Sequence, residues 1–138
     1  PEALRAGERL GLDPSAHRAT ALAPRELADA DLVLGFEPDH VAAAVVDGGA
    51  RRERTFTLPE LVELASGAPP AGDLEERIAV LSERAHARRR GSPLAAAGIR
   101  DPLGGTPEVF DRTATEIEGL VARLVRAMHR PADGATAA

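Results

Sequence analysis

The sequence predicts an α/β fold in which helices cover a parallel sheet. Three observations lead there. DLVLGF, residues 31–36, packs four large apolar residues into six positions without alternation, the pattern of a strand buried on both faces. RERTFTL, residues 52–58, alternates polar and apolar around Thr55, Phe56 and Thr57, and reads as a second, more exposed strand. The remaining stretches carry apolar residues at helical spacing, interrupted by glycine and proline.

The elements follow in order. EALRAGERL, residues 2–10, is a short helix stopped by Gly11. GLDPSAHRATAL is a loop rich in turn formers, with His17 at its centre. Pro24 suits a first helical position and opens a helix over about residues 24–30. After the apolar strand, Pro38 opens a helix carrying Val41, Val45 and Val46, and Asp47-Gly48-Gly49 closes it. Leu58, Leu61, Val62 and Leu64 follow the second strand at helical spacing, and GAPPAGD, residues 67–73, is a break. Asp73 caps a helix of about 16 residues with a stripe of Leu74, Ile78 and Leu81, ending at Arg88-Arg89-Arg90. Residues 91–107 form a long irregular segment, of the kind that often carries function. The closing helix runs from about Glu108 to His129 on Val109, Ile117, Leu120, Val121, Leu124, Val125 and Met128. One domain over 1–130 and a disordered tail over 131–138 are expected.

Composition narrows the chemistry. The 138 residues are 43% hydrophobic and 28% charged, enough for one core. A net charge of -5 and only three aromatics, Phe36, Phe56 and Phe110, argue against nucleic acid. No apolar stretch approaches the roughly 20 residues of a bilayer span, and no signal peptide is read. The absence of cysteine excludes disulfides, thiolate metal sites and a thiol nucleophile within these residues, and the absence of lysine excludes a Schiff base or a P-loop lysine. No histidine pair has metal-ligand spacing, and no serine-hydrolase elbow or phosphate-cradling glycine loop is present; no cofactor is expected.

A strand as apolar as 31–36 needs neighbours along both edges, and the chain offers one other convincing strand. The sheet is therefore expected to be completed either by another copy, as in a dimer, or a partner, or by strands preceding Pro1. The helix-like opening favours the second.

Among candidate site residues, Asp101-Pro102 in the long segment is foremost. A carboxylic acid in a rigid X-Pro context beside glycines suits proton delivery, although Asp-Pro is also a common turn opener. His17 reads as a base, a ligand or a structural donor. His40, one turn into the helix after the apolar strand, lies where α/β sheets bind ligands. His86 and His129 read as solvated, and Arg88-Arg89-Arg90 as cations at the negative end of a helix.

Taken in order, GLDPSAHRATAL, ADLVLGFEPDH, RTFTLPEL, GIRDPLGG and the closing helix resemble the low molecular weight protein tyrosine phosphatases, bacterial branch, over Pro1 to about Met128. The resemblance implies a three-layer fold around a four-stranded parallel sheet, residues 32–36 and 54–57 supplying its third and fourth strands. The first two strands, and the loop carrying the nucleophilic cysteine and the phosphate-binding arginine, would lie outside this chain. It implies a cytoplasmic enzyme hydrolysing phosphotyrosine protein or a small aryl phosphate through a phosphocysteine, with these 138 residues inactive alone. Asp101 then matches the general acid, Pro102 its motif partner, and His17 a residue that supports the phosphate loop. His40 matches a frequent bacterial histidine. Leu103 stands where the family usually has an aromatic residue walling the substrate ring, and LGFE replaces a methionine-containing strand end. Arsenate reductases of the same fold use cysteines that are absent here, and a non-catalytic binding module is the alternative reading.

Overall fold

Proline, acidic caps and glycine stops set the helices close to where the sequence predicts them. A computed structural model describes residues 2–65, 71–89 and 97–129. In chain order these form α1 (Glu2–Arg9), α2 (Pro24–Asp29), β1 (Val33–Gly35), α3 (Pro38–Val46), a 3-10 turn at Arg52–Arg54, β2 (Thr55–Thr57), α4 (Leu58–Leu64), α5 (Leu74–Arg88) and α6 (Pro107–His129). Prolines open α2 and α3. At α5, Asp73 accepts from the Glu76 N–H at 3.0 Å while Glu76 reaches back to the Asp73 N–H at 3.1 Å. The predicted break at 67–73 and loop at 91–107 fall partly, and the predicted tail at 131–138 wholly, outside the described residues.

The described residues form an α/β protein with one two-stranded parallel sheet. Val33 pairs with Thr55, Leu34 with Phe56 and Gly35 with Thr57. Both strands are shorter than predicted, because Arg52–Arg54 wind into a 3-10 turn and Leu58 already belongs to α4.

The burial of the two strands is the reverse of the expectation. Thr55, Phe56 and Thr57 are all buried, Phe56 completely. In β1 the burial is only partial, Leu34 being 40% exposed, and Phe36 just beyond it is 46% exposed. The reason is coverage. The core cluster of Phe56, Leu58, Leu61, Val62, Leu64, Leu81, Ala85, Ile99 and Leu124 gathers around β2 and α4. The threonines of β2 enter it because their hydroxyls are satisfied: Thr55 donates to the Arg51 carbonyl at 2.7 Å and Thr57 to the Ala97 carbonyl at 2.6 Å.

Arg89, expected as a cation at the negative end of a helix, is buried. Its guanidinium makes a two-point contact with Glu60, Nε to Oε1 at 2.7 Å and Nη2 to Oε2 at 2.9 Å. It also donates to the Arg52 and Thr55 carbonyls at 3.0 and 2.7 Å, and lies 4.1 Å from the centre of the Phe56 ring. Burial pushes the Glu60 carboxyl up from its ordinary value. A hydrogen bond from the Thr57 backbone and the charges of Arg52 and His86 act the other way. Arg90 lies outside the described residues.

Two further expectations change. His86 is partly covered, its Nδ1 buried with no hydrogen-bond partner among the described residues, rather than solvated. Leu74, predicted on the apolar stripe of α5, is exposed, because the inward face begins later, with Leu81, Ser82 and Ala85 buried. The α6 stripe divides: Leu124 enters the core, while Val121 and Val125 line a groove of about 570 Å³ between α6 and α1. An Arg9–Asp111 ion pair ties α1 to α6 at that groove.

Candidate functional site

The carboxyl edge of the two strands is where this chain brings chemistry-bearing side chains together. β1 ends at Gly35, and the chain turns through Phe36 and Glu37 into α3. Gly98 lies against that turn. A Cβ on Gly98 would come within 2.9 Å of both the Phe36 carbonyl oxygen and Pro38 Cδ, so only glycine lets the two backbones meet this closely. The next residue, Ile99, is buried and donates its N–H to the Phe36 carbonyl at 2.6 Å. Two residues earlier, the Ala97 carbonyl accepts from Thr57 at the end of β2. The segment entering Asp101 is thus fastened to the ends of both strands.

Asp101 emerges from this anchored segment. Its Oδ1 accepts the Leu103 N–H at 2.9 Å, a turn in which the aspartate side chain imitates a backbone carbonyl. The Gly105 N–H donates to the Pro102 carbonyl at 2.8 Å, and Gly104 takes a φ of +79°. This is the arrangement of a tight turn with glycine at its third position. Asp101 Oδ2 has no hydrogen-bond partner among the described residues.

Asp101 and Pro102 line a cavity of about 250 Å³ together with Phe36, His40, Ile99 and Ile117. His40 stands on the first turn of α3, its Nδ1 accepting the Glu37 N–H at 3.3 Å. That bond leaves the ring proton of the neutral imidazole on Nε2, which lies 3.9 Å from the Glu37 carboxylate. A Cβ on Gly35 would sit 2.9 Å from His40 Cβ, so the glycine allows the helix to start tight against the strand end. The arrangement combines a rigidly held, solvent-reachable carboxyl, an oriented imidazole and an aromatic face around a small apolar floor. It suits proton transfer to or from a small group seated in the cavity.

Of the residues singled out in the sequence, Asp101, Pro102 and His40 are brought together. His17 is exposed and is not among the residues lining this cavity; its N–H donates to the Pro14 carbonyl at 3.0 Å within its own turn. In that turn, hydrogen bonds from Ser15 hold the Asp13 carboxyl below its ordinary value. Leu103 is 83% exposed and also lies outside the cavity lining. Phe36 is the site residue that the sequence reading passed over. Its signal was available, since it is the first residue past the carboxyl end of a parallel strand. Among the described residues no cluster of histidine and carboxylate side chains is arranged to hold a metal ion, and no helix is long and apolar enough to cross a membrane. No family model matches the chain, and neither a curated protein nor a solved structure matches it.

Proposed function

We propose that these 138 residues are the acid-bearing part of a phosphoric monoester hydrolase of the low molecular weight tyrosine phosphatase type. The nucleophile, the phosphate-binding arginine and the strands completing a three-layer sheet would come from residues outside this sequence. The observation that carries the reading is the placement of Asp101. Its loop is tied to the carboxyl ends of both strands, and Asp101 lines a cavity together with Phe36 and His40. This is the edge at which parallel α/β sheets do their chemistry. Among the described residues each strand has one unpaired edge, on which a further strand could pair.

In this reaction Asp101 acts twice. Protonated, it gives its proton to the leaving aryl oxygen as the ester bond to phosphorus breaks. Ionised by that transfer, it takes a proton from the water that attacks the phosphorylated nucleophile, and so returns to its starting form. The Leu103 N–H holds Oδ1 throughout and leaves Oδ2 to carry the proton.

The test is hydrolysis of p-nitrophenyl phosphate. The 138 residues alone give no turnover. A polypeptide extended on its amino side through a loop of cysteine, five residues and arginine turns the ester over, and Asp101→Asn in it lowers kcat by about 10²- to 10⁴-fold. Turnover by the chain alone, an extension without such a loop, or an unchanged kcat in the variant overturns the reading.

A further inference from the structure

We propose that Arg100, beside Asp101, reads a second anionic oxygen group carried by the part of the substrate that leaves. The substrate's class rests on the hydrolase reading, and the recognition of charge on the cavity alone.

Backbone anchoring fixes where the arginine starts. Ile99, one residue earlier, is buried and gives its N–H to the Phe36 carbonyl. Asp101, one residue later, is turned by the Leu103 N–H. Arg100 lies between these two fixed points and lines the cavity of about 250 Å³ with Asp101, His40 and Thr113. It is exposed, so a ligand reaches it from solvent. A backbone tied on both sides limits the freedom lost when the guanidinium meets that ligand.

The guanidinium is unspent. The chain carries 22 acidic residues against 17 basic ones, so carboxylate partners are plentiful. Arg5, Arg9, Arg54, Arg89 and Arg123 each meet one. Arg100 has neither an ion pair nor a hydrogen-bond partner among the described residues, although Asp101 is its chain neighbour and Glu37 stands 3.9 Å from the His40 ring. A guanidinium binds oxygen anions through a planar fork of N–H groups. Thr113 adds a hydroxyl and His40 its Nε2–H, so donors reach the cavity from loop, α3 and α6. In the hydrolase reading Asp101 is protonated before the transfer and does not repel an anion. Arg100 adjoins the group that protonates the leaving oxygen, while the phosphoryl group falls to the arginine supplied from outside these residues. The anion read by Arg100 therefore belongs to the leaving part.

The experiment titrates the 138-residue chain with p-hydroxybenzoate, p-hydroxybenzenesulfonate and neutral p-hydroxybenzamide, followed by amide NMR shifts. The three share the hydroxyl that stands for the leaving oxygen and differ in the group opposite it. At least one anion is expected to bind about 3- to 10-fold more tightly than the amide, with shifts at Ile99, Arg100 and Asp101. The tighter of the two names the source, a planar carboxylate or a tetrahedral group such as a second phosphate. Arg100→Gln keeps the fold, because the residue is exposed and has no partner among the described residues, and it removes the preference. Arg25→Gln, the same loss of charge on α2 outside the cavity lining, leaves the preference unchanged. Equal binding of all three probes, a tighter amide, shifts that miss residues 99–101, a preference that survives Arg100→Gln, or its loss in Arg25→Gln each overturns the proposal. Hydrolysis of p-nitrophenyl phosphate by the extended polypeptide is a separate readout. Its failure removes the phosphatase reading and leaves the anion recognition standing.

Discussion

The two strands of the sheet are each three residues long, pair with one another, and have opposite surroundings. β2 carries two threonines and a phenylalanine and is fully buried; β1, with a valine and a leucine in a run of apolar residues, is partly exposed. Apolar content therefore does not decide burial here. Coverage and hydrogen-bond satisfaction do. The hydroxyls of Thr55 and Thr57 find backbone carbonyls, Arg89 covers the Phe56 ring, and α4 and α5 close over the rest. Each strand has the other as its one partner among the described residues, and the far end of β1 serves the cavity. One strand holds the fold and the other presents the site.

Substitutions sharpen this contrast. The largest loss is expected from Phe56→Ala, about 3–5 kcal/mol by urea denaturation, because the buried ring leaves a cavity and strips Arg89 of its aromatic face. Glu60→Ala should cost about 3 kcal/mol or more, since it leaves the Arg89 guanidinium buried without its carboxylate. Thr57→Val, nearly isosteric, removes both the cap on the Glu60 N–H and the bond to the Ala97 carbonyl; about 1–2 kcal/mol is expected, with altered amide shifts at Ile99 and Asp101. Leu34→Ala in β1 should cost under about 1 kcal/mol. A loss at Leu34 comparable to that at Phe56 would erase the distinction between the strands.

The helices were legible because their signals are local. Pro24, Pro38 and the pair Asp73 and Glu76 lie within a turn of the helix starts they specify. The parallel sheet was legible at the level of class, since two short extended segments are separated by a helix. The burial of β2 was not, because a threonine in an alternating pattern reads as facing water, and its buried hydroxyl depends on a carbonyl that local pattern does not place. The Ala97 carbonyl lies 40 residues from Thr57. Arg89 was hidden for the same reason, its partner Glu60 being 29 residues away. In the site, Asp101 was readable from its proline and glycines, and His40 from its place on the first turn of a proline-started helix. Phe36 was counted only as part of a buried strand. Its 46% exposure is not revealed by the run of residues 31–36.

Native-state hydrogen exchange tests the division of labour between the strands most directly. The account predicts that the amides of β2 and the start of α4 exchange only through global unfolding, while β1 contains amides that exchange orders of magnitude faster through local opening. Slow, globally limited exchange throughout β1, with faster exchange in β2, would contradict it.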